Sequence, residues 1–179
     1  MTIINMAQDF VGSNNLPLLT AGGQFGTRAK GGSDFASPRY IFTGLSPLAR
    51  LLYPEEDDNL LDYNWEDGQQ VEPVFFAPIL PTLLINGSYG IGTGWSTLIP
   101  PHNPLVVAEH TARLIRGESV THAPLELPMP GKGRPRKHPL KDSSLLHPWI
   151  RGFTGDIDRV RDSRGLTYRT RGKINRISK

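Results

Sequence analysis

Apolar residues recur at helical spacing in separate stretches of the chain. In residues 2–11 they are Ile3, Ile4, Ala7, Phe10 and Val11, which predicts a helix over 2–11 closed by Gly12. In residues 41–52 Ile41, Leu45, Leu48, Leu51 and Leu52 fall on one stripe, with Ser46 as a cap and Pro47 in the first turn. In residues 104–117 Pro104 opens and Gly117 closes a helix whose apolar face would be Leu105, Ala108, Ala112 and Ile115. The helix at the start of the chain has no visible N-cap, and the pattern stops short at Lys179, so the chain reads as a piece of something longer.

Between these stretches the periodicity breaks. Residues 16–37 are Gly-rich and irregular. Residues 53–72 read as an acidic surface loop or hairpin. Residues 73–86 are apolar but interrupted by Pro78 and Pro81, which predicts short buried extended pieces. Residues 119–147 hold five prolines and no period, as a linker or insertion does. Residues 148–179 alternate enough to form strands. Helices followed by separate strands make an α+β chain.

Composition narrows the class. A length of 179 residues suits one domain or slightly more, and 19 glycines with 16 prolines make it loop-rich. It has no cysteine, which excludes disulfides and thiolate metal sites. No apolar run is long enough to cross a membrane as a helix. The net charge of +3 conceals a segregation. Residues 53–72 carry only acids among their charges, whereas Lys132, Arg134, Arg136, Lys137 and Lys141 form an acid-free run. From 149 to 179 nine Lys or Arg face three Asp, which points to a polyanion as partner.

Familiar motifs fail on inspection. Gly26-Thr27-Arg28-Ala29-Lys30-Gly31 begins as a phosphate loop does, but Gly32 stands where the lysine should be. Gly90, Gly92 and Gly94 alternate, yet Trp95 occupies the third position of a dinucleotide loop. Gly94-Trp95-Ser96-Thr97-Leu98 lacks the last glycine of a nucleophile elbow. The five histidines show no zinc spacing. That leaves Pro38-Arg39-Tyr40, where a Gly-rich basic loop meets a predicted helix. Two readings of Tyr40 stand at this point: a buried aromatic heading that helix, or a nucleophile.

Four longer stretches bear on the choice. They are Phe10 to Asn15, Gly23 to Arg28, Gly31 to Leu45 and Leu84 to Pro100. In order and spacing they resemble the eukaryotic-type type IIA DNA topoisomerases, densely from Thr2 to about Glu118, with a weaker echo at 148–157. The resemblance implies part of the breakage-reunion core: a winged-helix-like domain over 1–118, a basic Pro-rich linker or insertion over 119–147, and the start of a mixed α/β "tower" domain over 148–179. It implies double-stranded DNA as substrate, a homodimeric ATP-hydrolysing parent and a nuclear location. Tyr40 matches the tyrosine that attacks a phosphodiester, and Arg39 matches the arginine beside it. Ile91 matches the isoleucine that enters between base pairs and bends the duplex. Arg28 and Lys30, flanking the Gly-rich loop, would contact phosphates. Many relatives carry a lysine where this chain has Ser33, a charge that Lys30 would supply instead.

Elementary chemistry agrees with these roles. A phenol with a pKa near ~10 is a poor nucleophile at neutral pH, so it needs a cation and a proton acceptor. A neighbouring guanidinium matches phosphate geometry. Pro38 keeps Ser37 extended and stiffens the approach. Glycines around Ile91 let a backbone come close to a surface and project an apolar side chain; a core isoleucine in a Gly-rich turn is the alternative.

The resemblance also says what is absent. Mg²⁺ is held by an acidic cluster on a preceding domain, and ATP is hydrolysed further upstream, so no residue here is assigned to either, and the piece by itself is expected to be inactive. A non-catalytic DNA-binding module is the competing expectation. Gly131 to Lys137 resembles either the centre of a minor-groove AT-hook or a plain basic linker.

Overall fold

A computed structural model describes residues 1–118, 146–162 and 165–175. They form two compact units, Met1–Thr82 and Leu83–Lys179. The expected linker at 119–147, apart from its last two residues, and the whole basic segment 131–137 lie outside the described residues. Short helices and three separate two-stranded antiparallel sheets make up both units, so the α+β expectation holds.

In the first unit α1 is Thr2–Ala7, shorter than the apolar pattern predicts. Its end is set by side chains rather than by Gly12. Gln8 turns extended, and the Asn14 amide donates to the carbonyls of Asn5 (2.6 Å) and Gln8 (2.9 Å), satisfying acceptors the helix would otherwise leave open. Ile4 and Ala7 are buried with Phe25, and Leu19, Phe35 and Ile41 pack around them.

The predicted helix over 41–52 is only half present. The second helix, α2, spans Pro47–Leu52 behind Ser46, as the Ser-Pro pair indicates. Residues 41–45 are instead extended, with Gly22 and Phe42 exchanging backbone hydrogen bonds of 2.9 and 2.8 Å. Glycine suits that pairing, since a Cβ on Gly22 would stand a tight 3.0 Å from the Phe42 carbonyl oxygen. Ser46 caps nothing; its hydroxyl donates to Pro17 O at 2.9 Å.

The acidic stretch forms a 3-10 turn, Glu55–Leu60, and a hairpin of β1, Tyr63–Glu66, with β2, Gln69–Pro73. Asp67 and Gly68 at its tip both have positive φ, the conformation that favours Asp-Gly in tight hairpins. The short buried extended pieces expected in 73–86 are not what forms: residues 82–86 are helical, with Ile85 buried. Val74, Phe75, Phe76 and Ile79 are exposed, and Pro78 and Pro81 each lack the backbone donor that a ladder would use.

The second unit begins at Leu83, within α3, Thr82–Asn86, whose Ile85 is fully buried. A hairpin follows, β3 (Ser88–Gly92) with β4 (Trp95–Ile99), turning at Gly94 with φ 78°. Helix α4, Pro104–Ile115, is capped by the Asn103 side chain, which accepts from Leu105 N at 2.9 Å. Its fully buried residue is Val107; of the predicted face, Ala108 and Ala112 are half-buried, whereas Leu105 and Ile115 are exposed. The strands expected after 148 appear as β5, Asp156–Asp162, and β6, Gly165–Arg171.

His102 is buried between these elements. Its backbone N–H donates to Leu84 O, and its Nδ1 lies 2.9 Å from the same oxygen. Burial holds the imidazole below the usual histidine range, outweighing the Leu84 hydrogen bond, and the nearby His147 lowers it further. The folded state therefore binds this proton less readily than the unfolded chain. The contribution is complete above about pH 6.5 and is lost as pH falls towards the folded value. Urea midpoints should drop on acidification through that window, and His102→Gln should flatten the slope. An unchanged slope in the variant would remove His102 as the cause.

Candidate nucleic-acid interface

The Pro38–Tyr40 segment is a single 3-10 turn, not the head of a helix. Ser37 before it is extended, as proline demands, and Tyr40 N–H closes the turn on Ser37 O at 2.9 Å. The chain then straightens at Ile41. Behind the turn runs Gly23, where φ is 106° and a Cβ would meet Ile41 Cγ2 at 3.1 Å. The tyrosine thus sits on a short turn with the Gly23 backbone close behind it.

Tyr40 is 66% exposed, which excludes the buried-anchor reading. The Arg39 guanidinium carbon lies 4.9 Å from the centre of its ring. This stacking parks a permanent cation beside the phenol and leaves both side chains open to solvent. Among the described residues no carboxylate or imidazole hydrogen-bonds the Tyr40 hydroxyl.

Arg28 and Lys30 share another 3-10 turn, Arg28–Lys30, and both are exposed. The turn is the crest of an arch. Gly31 closes it in the left-handed region at φ 59°, and Gly32 N–H bonds Thr27 O at 2.9 Å. Asp34 latches the base, accepting from Thr27 N–H at 2.7 Å and from the Thr27 hydroxyl at 2.8 Å. Those two donors hold its carboxyl below the usual range, and Lys30 adds a smaller pull. The exposed Ser33 hydroxyl donates to Lys30 O at 2.8 Å.

Ile91 belongs to the other unit. It stands on β3 opposite Ser96, between Gly90 and Gly92, and is 78% exposed, which removes the core-isoleucine reading. It is not alone. Tyr89, Trp95 and Leu98 on the same uncharged hairpin are exposed too. The sequence reading missed these, although a run of aromatic and apolar residues around a Gly-rich turn is visible there. It also missed Gln8, whose partners Phe25 and Gly32 lie far along the chain, and Asn14 and Asp34, whose partners lie within ten residues.

The acidic residues do not assemble a cation site. Asp58 pairs with Arg50 at 3.1 Å, and among the described residues no three Asp, Glu or His side chains converge. The described acidic residues do not fit a bound Mg²⁺.

With this geometry in view, the family model for the DNA gyrase/topoisomerase IV A subunit matches residues 1–179. The chain belongs to that family. DNA topoisomerase 2 of Arabidopsis thaliana is 48% identical over 176 residues, 98% of this chain and 10% of that protein. DNA topoisomerase 2-alpha of Rattus norvegicus is 60% identical over 118 residues, 66% of this chain and 8% of that protein. The solved DNA-binding, cleavage and re-ligation domain of Plasmodium falciparum topoisomerase II superposes with a TM-score of 0.74 at 39% identity. That match covers 99% of this chain and 21% of the other. This topoisomerase-family chain therefore spans about a tenth of the length of the curated relatives it matches. The resemblance to type II topoisomerases carried by the four sequence stretches is borne out.

Proposed function

We propose that this chain is the tyrosine-bearing part of the DNA gate of a type II topoisomerase, and that Tyr40 is the nucleophile. The observation that carries this is the exposed phenol on a short turn with the Arg39 guanidinium 4.9 Å from its ring. Tyr40 Oη gives up its proton and attacks a phosphodiester phosphorus. The bond from phosphorus to the 3′ oxygen breaks, and that oxygen takes a proton. The product is a 5′-phosphotyrosyl strand and a free 3′ hydroxyl. One phosphodiester replaces another, so the 3′ hydroxyl reseals the strand by the reverse attack without ATP at that step.

Arg39 supplies charge to the non-bridging oxygens, where phosphoryl transfer gains most from a fixed cation. Arg28 and Lys30 hold the backbone of double-stranded DNA. Mg²⁺ and ATP belong to the whole protein, supplied by residues other than the described ones, and a homodimer would bring two such turns to the two strands. A piece without those parts is inactive alone. The nucleus is the proposed location, in keeping with the eukaryotic relatives.

The test replaces the matching segment of the Arabidopsis enzyme with this chain. Covalent complexes are trapped with denaturant, digested with nuclease and sequenced by mass spectrometry. A nucleotide remnant on Tyr40 is expected; a remnant on any other tyrosine would overturn the assignment.

The proposal extends to Ile91. An apolar wedge unstacks a base step at a cost of a few kcal/mol, about what a kink requires. Ile91→Ala should therefore lower the bend of an end-labelled duplex, read by energy transfer, while leaving affinity within about tenfold. An unchanged bend would show that the hairpin does not act as a wedge.

A further inference from the structure

We infer that Gln8 is a positioning residue that sets the geometry of the arch carrying Arg28 and Lys30. The inference rests on the proposed contact of those two residues with DNA phosphates.

Gln8 follows the last residue of α1, and its side chain is buried. Its amide nitrogen has two hydrogens and uses both. One goes to Phe25 O at 2.8 Å and the other to Gly32 O at 3.0 Å. Two carbonyl acceptors fix which end of the amide is nitrogen. Phe25 and Gly32 flank residues 26–31, the arch itself, so one side chain ties both of its feet. The feet also meet each other. A Cβ on Gly26 would lie 2.6 Å from Gly32 O, and any side chain on Gly32 would collide with the Gln8 amide. Asn14 steadies the tie by donating to Gln8 O at 2.9 Å.

Few residues meet this demand. Asparagine is one methylene too short, and glutamate has no hydrogen to donate when ionised. Leucine fills the space but leaves two carbonyls without their donor. The arch carries its cations on short 3-10 geometry, so movement of either foot changes their spacing against a fixed phosphate ladder. Gln8 itself lies beneath the arch, away from the proposed DNA contact.

The full 179-residue chain is titrated with a fluorescent duplex over a range of salt concentrations. Gln8→Leu should weaken binding about tenfold at low salt and reduce the slope of log K against log salt by about one phosphate contact. Ile4→Val, a truncation in the same core, controls for lost stability and should keep the parent slope. Arg28→Ala separates the tie from the contact it serves. If Arg28→Ala lowers the slope and Gln8→Leu does not, the tie has no positioning role, although the phosphate contact stands. If Arg28→Ala also keeps the parent slope, the phosphate contact fails and the inference fails with it.

Gln8→Glu gives a second readout, decisive if the leucine variant does not fold. At ~pH 8 a carboxylate would face two carbonyl oxygens, whereas near ~pH 5.5 a protonated carboxyl, its pKa raised by burial, returns one donor. Binding relative to the parent should recover on acidification. No recovery would overturn the inference.

Discussion

A Tyr40→Phe protein is expected to form no denaturant-resistant DNA adduct while still binding the duplex. The substitution removes one oxygen from a side chain that is 66% exposed, so neither packing nor the turn depends on it. Phenylalanine keeps the ring face against which Arg39 stacks. Tyr40 N–H still closes on Ser37 O, because that bond belongs to the backbone. Loss of a nucleophile elsewhere costs on the order of 10⁶ in turnover, which puts cleavage below detection. Binding should stay within about twofold, since exposed substitutions cost little. Both quantities are measured in the Arabidopsis chimera, by gel retention after denaturant and by filter binding. Persistence of the adduct would show that another group attacks. A chimera that binds DNA but yields no adduct even with Tyr40 intact would favour the non-catalytic module.

The second large effect is structural. Gly26→Ala should destabilise the first unit by about 2–6 kcal/mol, combining a left-handed backbone strain of ~1–3 kcal/mol with overpacking of similar size. The φ of 103° is one that a side chain rarely adopts, and the new methyl would sit 2.6 Å from the Gly32 carbonyl oxygen and 2.7 Å from its Cα. Backbone lies on both sides of this contact, so no flexible side chain can yield. Gly31→Ala is the matched comparison. Its φ is also positive, at 59°, but nothing lies within 4 Å of the added methyl. It should cost only about 1 kcal/mol. Urea midpoints of the two variants decide it. Equal losses would mean that strain alone matters at Gly26 and that the feet of the arch do not press on each other.

Local sequence was a sound guide where the determinant lies within a few residues. Pro47 after Ser46, Pro104 after Asn103, Gly117 and the Asp67-Gly68 pair each act through their own φ or their own missing donor. The start of α2, the whole of α4 and the turn of the acidic hairpin follow from these residues, although the pattern places a helix from residue 41 and leaves 53–72 open between a loop and a hairpin. The pattern misled where contacts outside the helical period decided the outcome. Residues 41–45 keep an apolar period, yet Phe42 pairs with Gly22 as an extended segment. Phe10 and Val11 keep the period of α1, yet Asn14 ends that helix early. Leu105 and Ile115 lie on the predicted face of α4, yet the contact made is through Val107.

The chain's own order of residues determined the family and the pairing of Arg39 with Tyr40, because adjacent residues on a proline-stiffened step stay adjacent in any fold. It also determined the presence of cations at Arg28 and Lys30. Only the tertiary structure decided that Tyr40 ends a short turn in solvent rather than heading a buried helix. Only it decided that Ile91 stands exposed among aromatic neighbours. And only it revealed that Gln8, one polar residue at the end of an apolar helix, holds both feet of the basic arch. The reason is physical. Exposure and hydrogen-bond partners depend on which backbone atoms arrive from far along the chain, and spacing along the sequence carries no record of that.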